Sequence, residues 1–107
     1  MDQAVARDPV LRRFRAALEE AYGPKLDRAV LFGSRARGDA HPDSDYDVAV
    51  FLHDPASTWD ELGRLSSITT GILLDTDAYI SAKPFEARAY GDPSPFMQNV
   101  RRDGLEL

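Results

Sequence analysis

The chain has 107 residues, 43% of them hydrophobic, no cysteine, two histidines and a formal charge of -5. That length suits one compact domain, 1–107, with a modest core, and the acidic balance excludes a surface that grips duplex nucleic acid through its phosphates. Without cysteine there is neither a disulfide framework nor a thiolate metal site, so a metal here would be held by oxygen.

Asp8 is a candidate N-cap followed by Pro9 at the first helical position, and Val10, Leu11, Phe14, Ala17, Leu18, Ala21 and Tyr22 recur at helical spacing. Gly23 and Pro24 end that helix. The run "RAVLFG" then reads as a short buried strand closing at Gly33, with a brief helix or turn from Ser34 to about Asp39. Turn residues crowd "DAHPDSD", and "YDVAVFL" follows as a second strand with Asp45 and Asp47 sharing one face at its start. Thr58 and Glu61 stand at capping-box spacing, which predicts a helix through Trp59, Leu62, Leu65 and Ile68 that Gly71 closes. The alternation in "ILLDTDAYIS" predicts a third strand, with Leu73, Asp75, Asp77 and Tyr79 on one face. Trp59 and Tyr79 are expected to pack in the core. A connection with one helical turn near Phe85 to Tyr90 leads to a last helix from Pro95 to Asp103. This order predicts an α/β or α+β domain, a small mixed sheet flanked by helices.

No apolar run is long enough to span a bilayer, and the amino end "MDQAVARDPVLRRFRAALEE" is charged throughout, unlike a signal peptide. A cytoplasmic protein without membrane contact is the expectation. Charge is uneven along the chain: eight Lys/Arg against six Asp/Glu in residues 1–39, five against twelve in residues 40–107. A basic excess before the aspartate cluster and an acidic excess within and after it suit a site that binds both an anion and a cation.

The chemistry concentrates in "GSRARGDAHPDSDYD". Asp43, Asp45 and Asp47 alternate as EF-hand ligands do, but Val48 and Asp54 stand where that loop needs glycine and glutamate. The glycines also lack the spacing and lysine of a P-loop. Like charges at Asp45 and Asp47 raise each other's pKa unless a cation neutralises them. Mg²⁺ is the natural choice, a hard ion that takes one or two carboxylates together with phosphate oxygens. A pair of such ions clamps the attacking and leaving oxygens of nucleotidyl transfer. A third carboxylate would complete that site, with Asp77 the candidate on the third strand and Asp75 its competitor. Arg35 and Arg37 flank the turn, and either could fork onto a phosphate. His41 is a loop residue rather than a ligand.

The segment "GSRARGDAHPDSDYDVAV", with Gly-Ser, ten residues and then Asp-x-Asp running into a strand, resembles the signature of the nucleotidyltransferase superfamily related to DNA polymerase β. Among its members the short chain resembles the minimal nucleotidyltransferases, antitoxins whose partner is a helical HEPN ribonuclease toxin. The motif covers about a sixth of the chain. That resemblance implies a polymerase β-like nucleotidyltransferase fold, two Mg²⁺ ions on Asp45, Asp47 and Asp77, and a triphosphate held by Gly33, Ser34 and Arg35. It also implies transfer of AMP from ATP to a hydroxyl, a tyrosine of the cognate HEPN toxin, within a hetero-oligomer. The family's commoner "VDLV" context reads "LDTDAYI" here. An antitoxin that neutralises by binding alone is the alternative, and transfer to a small molecule such as an aminoglycoside a more remote one.

Overall fold

The computed structural model describes residues 2–107. In chain order these form α1 (Gln3–Ala6), α2 (Pro9–Tyr22), β1 (Leu26–Phe32), α3 (Ser34–Arg37), β2 (Tyr46–Leu52), α4 (Thr58–Thr76), β3 (Ile80–Glu86), α5 (Pro95–Asp103) and β4 (Leu105–Glu106). One four-stranded sheet runs in the order β3-β2-β1-β4. The pairs β1/β2 and β1/β4 are antiparallel and β2/β3 is parallel, so the sheet is mixed, as the element order predicts.

Both faces of the sheet are covered. On one, Ala29, Leu31, Val48, Val50, Leu52 and Ile80 meet Leu11, Phe14 and Leu18 of α2 and Leu65 and Ile72 of α4. On the other, Val30, Ala49 and Phe51 meet Met97 and Val100 of α5. A strand buried on both sides needs a continuous apolar run, which explains why "VAVFL" in β2 does not alternate with polar residues.

The start of α2 is fixed by Asp8, whose Oδ1 accepts from the Val10 and Leu11 amides at 2.9 and 3.4 Å, with Pro9 supplying a first-turn residue that has no N–H to satisfy. Its other oxygen accepts from the Tyr46 hydroxyl at 2.8 Å, joining the head of α2 to the head of β2. At α4 the cap is Ser57, one residue before the expected box, with its Oγ accepting from Asp60 N at 3.1 Å. Glu61 is buried instead, accepting from Tyr22 Oη at 3.1 Å and Ala56 N at 2.9 Å.

Three expectations fail along α4 and after it. The first half of the predicted strand over residues 72–81 is helix: Leu65, Thr69 and Ile72 are buried at helical spacing, and this stripe carries α4 past Gly71 to Thr76. The helix stops at Asp77, which takes the left-handed conformation at φ 61° while its amide donates to Leu73 O. The third strand begins only at Ile80 and includes Pro84, tolerated because β3 lies at the sheet edge. Finally, Trp59 is 82% exposed and Tyr79 48%, so neither packs in the core.

Candidate active site

At the end of β1 the chain turns sharply at Gly33, which has φ 75°. Phe32 is the register partner of Asp47 at the start of β2, so the turn lies against the aspartate. A Cβ placed on Gly33 would stand 2.5 Å from Asp47 Oδ2. Glycine is therefore required twice here, for its backbone angle and for the space that the carboxylate occupies. Ser34 follows directly as the first residue of α3.

Arg35 does not face this space. Its Nε donates to Ser44 O at 2.9 Å, its second terminal nitrogen donates to Pro42 O at 3.1 Å, and its guanidinium lies 3.9 Å above the Tyr46 ring. That engagement corrects the expected phosphate role: Arg35 instead holds the turn that delivers Asp45 and Asp47 to β2. The turn closes on itself through His41 N to Ser44 Oγ at 2.9 Å and Ser44 N to His41 O at 3.0 Å, leaving His41 and Asp43 exposed.

Asp45 is exposed one residue before β2, and Asp47 is half-buried one residue inside it. Burial pushes the Asp47 carboxyl up from its ordinary value, the charge of Lys83 pulls it down, nearby Asp45 pushes it up and Arg37 pulls it down. Two carboxylates close enough to feel each other, beside the glycine turn, are the hard oxygen donors that Mg²⁺ takes, and Asp45 and Asp47 would hold such an ion while leaving room for phosphate oxygens. The expected third acid does not join them. Among the described residues no three His, Cys, Asp or Glu side chains gather to hold one metal. Asp77 caps α4 and Asp75 pairs with Arg13 at 2.7 Å, because the helix absorbs the segment expected as a strand. Asp77, expected as the third ligand, thus stands apart from Asp45 and Asp47 as a helix cap.

Two cations face the site, one of them, Arg37, already a candidate phosphate contact from its place beside the turn. Arg37 lines a cleft of about 390 Å³ together with Phe32, Gly33, Phe96, Asn99 and Arg102. Lys83, on β3, is the other. Gly33 is common to the cleft and to the Asp47 cradle, so the two spaces adjoin. In the aromatic wall of the cleft Phe32 and Phe96 stand edge to face at 5.2 Å. A second cleft of about 270 Å³ lies across the sheet, lined by Val5, Leu11, Arg35, Tyr46 and Leu105, and includes neither Asp45 nor Asp47.

A glycine turn, paired aspartates and neighbouring cations thus come together at one end of the sheet, and the nucleotidyltransferase domain family matches residues 11–93. The chain belongs to that family. It is 33% identical over 98 residues to the Methanocaldococcus jannaschii protein named "Putative protein adenylyltransferase MJ0141", covering 92% of this chain and 95% of that one. Among solved structures it is similar to a chain of a toxin-antitoxin with AMP-PNP, with TM-score 0.58 and 22% identity over 87% of this chain and 68% of that one. A mutant of the toxin-antitoxin MntA-HpeT gives TM-score 0.64 and 22% identity over 90% of this chain and 69% of that one. At those identities the structural likeness is one of fold.

Proposed function

We propose that the chain is an antitoxin that transfers AMP from ATP to a tyrosine hydroxyl of a cognate HEPN toxin. The observation that carries this reading is the Gly33–Asp47 contact, a backbone turn pressed onto the first β2 carboxylate where phosphate and cation must meet. Support for ATP and for a protein acceptor comes from the named activity of the methanogen relative and from the AMP-PNP and toxin in the structural neighbours.

In the reaction the acceptor oxygen attacks the α-phosphorus, the bond from that phosphorus to the β-bridging oxygen breaks, pyrophosphate leaves and the acceptor proton passes to solvent. Mg²⁺, held by Asp45 and Asp47, would neutralise phosphate charge and orient the leaving group. Gly33 lets the main chain approach the triphosphate, and Ser34 offers a hydroxyl beside it. Phe32 and Phe96 supply an apolar wall for the nucleoside, and Arg37 a guanidinium for its phosphates. The acceptor comes from a partner, for which the exposed Trp59, Leu62, Leu74 and Tyr79 offer apolar contact.

One observation favours a second reading, neutralisation by binding alone: no third acid joins Asp45 and Asp47. Intact mass of the HEPN partner, after incubation with this chain, ATP and Mg²⁺, separates them. AMP units that appear with the parent and vanish with the Asp45→Asn, Asp47→Asn double variant support transfer. A stable complex with unchanged mass would overturn it in favour of binding alone.

A further inference from the structure

The strand beside Asp47 carries a cation where an acid was expected. In the parallel ladder Asp47 is opposite Ser81 and Ala49 opposite Lys83, and alternation puts Ser81, Lys83 and Phe85 on the face that bears Asp47 and Phe51. Packing bears this out. Phe85 stacks on Phe51 with ring centroids 5.5 Å apart, while Lys83 Nζ lies 5.8 Å from the centroid of Phe32 and 5.9 Å from that of Phe96. Phe32 is also the register partner of Asp47 on its other side, so the ammonium that lies over the aromatic wall of the cleft is also close enough to Asp47 to act on its charge.

Lys83 is exposed, and among the described residues it takes part in no ion pair. Its charge acts on Asp47 at longer range and leaves the ammonium open to a ligand there. An edge lysine is also a common device against unwanted strand pairing, but that role asks only for exposure and not for a place next to Asp47. Lys83 in place of a third carboxylate makes the formal charge beside Asp45 and Asp47 more positive by two, which lessens the need for a second divalent ion before a triphosphate approaches. A lysine ammonium is a compact point charge suited to one phosphate oxygen.

We propose that Lys83 is a nucleotide-binding residue of this site, its ammonium contacting a non-bridging oxygen of the triphosphate, so that the site takes one divalent ion per nucleotide rather than two. This inference rests on the nucleotidyl-transfer reading and names how that same site holds its charge.

The test is binding without turnover: calorimetry with AMP-PNP and Mg²⁺, and counting of bound Mn²⁺ by electron paramagnetic resonance in the presence of AMP-PNP. Lys83→Met should weaken AMP-PNP by about tenfold, Lys83→Arg should restore most of it, and the parent should bind one Mn²⁺. Lys83→Asp should add a second Mn²⁺. AMP-PNP binding that Asp47→Asn abolishes but Lys83→Met leaves unchanged would overturn the role of Lys83 alone, as would two Mn²⁺ ions on the parent. Failure of the parent to bind AMP-PNP would overturn it together with the reading beneath it.

Discussion

At the scale of single residues, Gly33 and Asp47 make the sharpest demands. Alanine at Gly33 would force a Cβ onto Asp47 Oδ2 at a backbone angle unfavourable to it, so Gly33→Ala is expected to displace the carboxylate and lower nucleotidyl transfer by about a hundredfold or more. Gly38 is the control: its φ is 83°, yet nothing lies within 4 Å of a Cβ there. Gly38→Ala should therefore cost stability of about 1 kcal/mol while transfer is kept, a difference that thermal melts and radiolabel transfer together resolve. For Asp47, burial raises the carboxyl above its ordinary value, so ionisation is less favourable in the folded chain than in the unfolded one. Stability linked to this group is present below its unfolded pKa and is lost as pH rises through the folded value. Without metal, Asp47→Asn should melt higher than the parent at neutral pH, and the gain should fade as pH drops through the carboxylate range. Added Mg²⁺ and AMP-PNP should then raise the melting temperature of the parent and not of the variant. The paired aspartates and the glycine turn were legible because their chemistry requires those residue types at that spacing. Lys83 was not, because a lone cation shows its role only when strand register sets it beside a carboxylate.

At the scale of elements, α4 is where sequence and structure part. "ILLDTD" alternates well enough to pass for a strand, and Gly71 is a plausible stop, yet Ile72 completes a buried stripe with Leu65 and Thr69 that alternation over six residues cannot reveal. The same misplacement put Asp77 on a strand and "KPF" in a loop. Asp77 sits at positive φ as the C-cap, a conformation glycine adopts more readily. Asp77→Gly should accordingly be neutral or stabilising by up to about 1 kcal/mol and leave transfer intact; a large loss of transfer would restore Asp77 to the catalytic set. Glu61 shows the reverse, a residue expected as a helix cap that became a core acceptor for Tyr22 Oη and Ala56 N. Desolvation first, and then Glu61, push the Tyr22 phenol up to about 12, so it stays a donor throughout the useful pH range. Glu61→Ala strands both donors and should cost about 2–4 kcal/mol in denaturant melts.

For the molecule as a whole, element order led correctly to a mixed sheet between helices, whereas strand order came only from long-range pairing. No local signal announced that the short carboxyl-terminal strand β4 would close the sheet on β1. The apolar residues left outside both cores are equally informative. Trp59 at 82% exposure contributes little to the isolated fold, and Trp59→Ala should change stability by less than about 0.5 kcal/mol. Should it instead weaken a complex with the proposed toxin partner, a partner-facing role for α4 gains support.

The proposed nucleotide site lies on one face of the sheet. Amide chemical shifts of the labelled chain, followed as AMP-PNP and Mg²⁺ are added, test this directly. Gly33, Ser34, Asp47 and Lys83 should move together, and the movement should be lost in the Asp45→Asn, Asp47→Asn double variant. Shifts confined to Val5, Leu11 and Leu105 around the opposite cleft would contradict it.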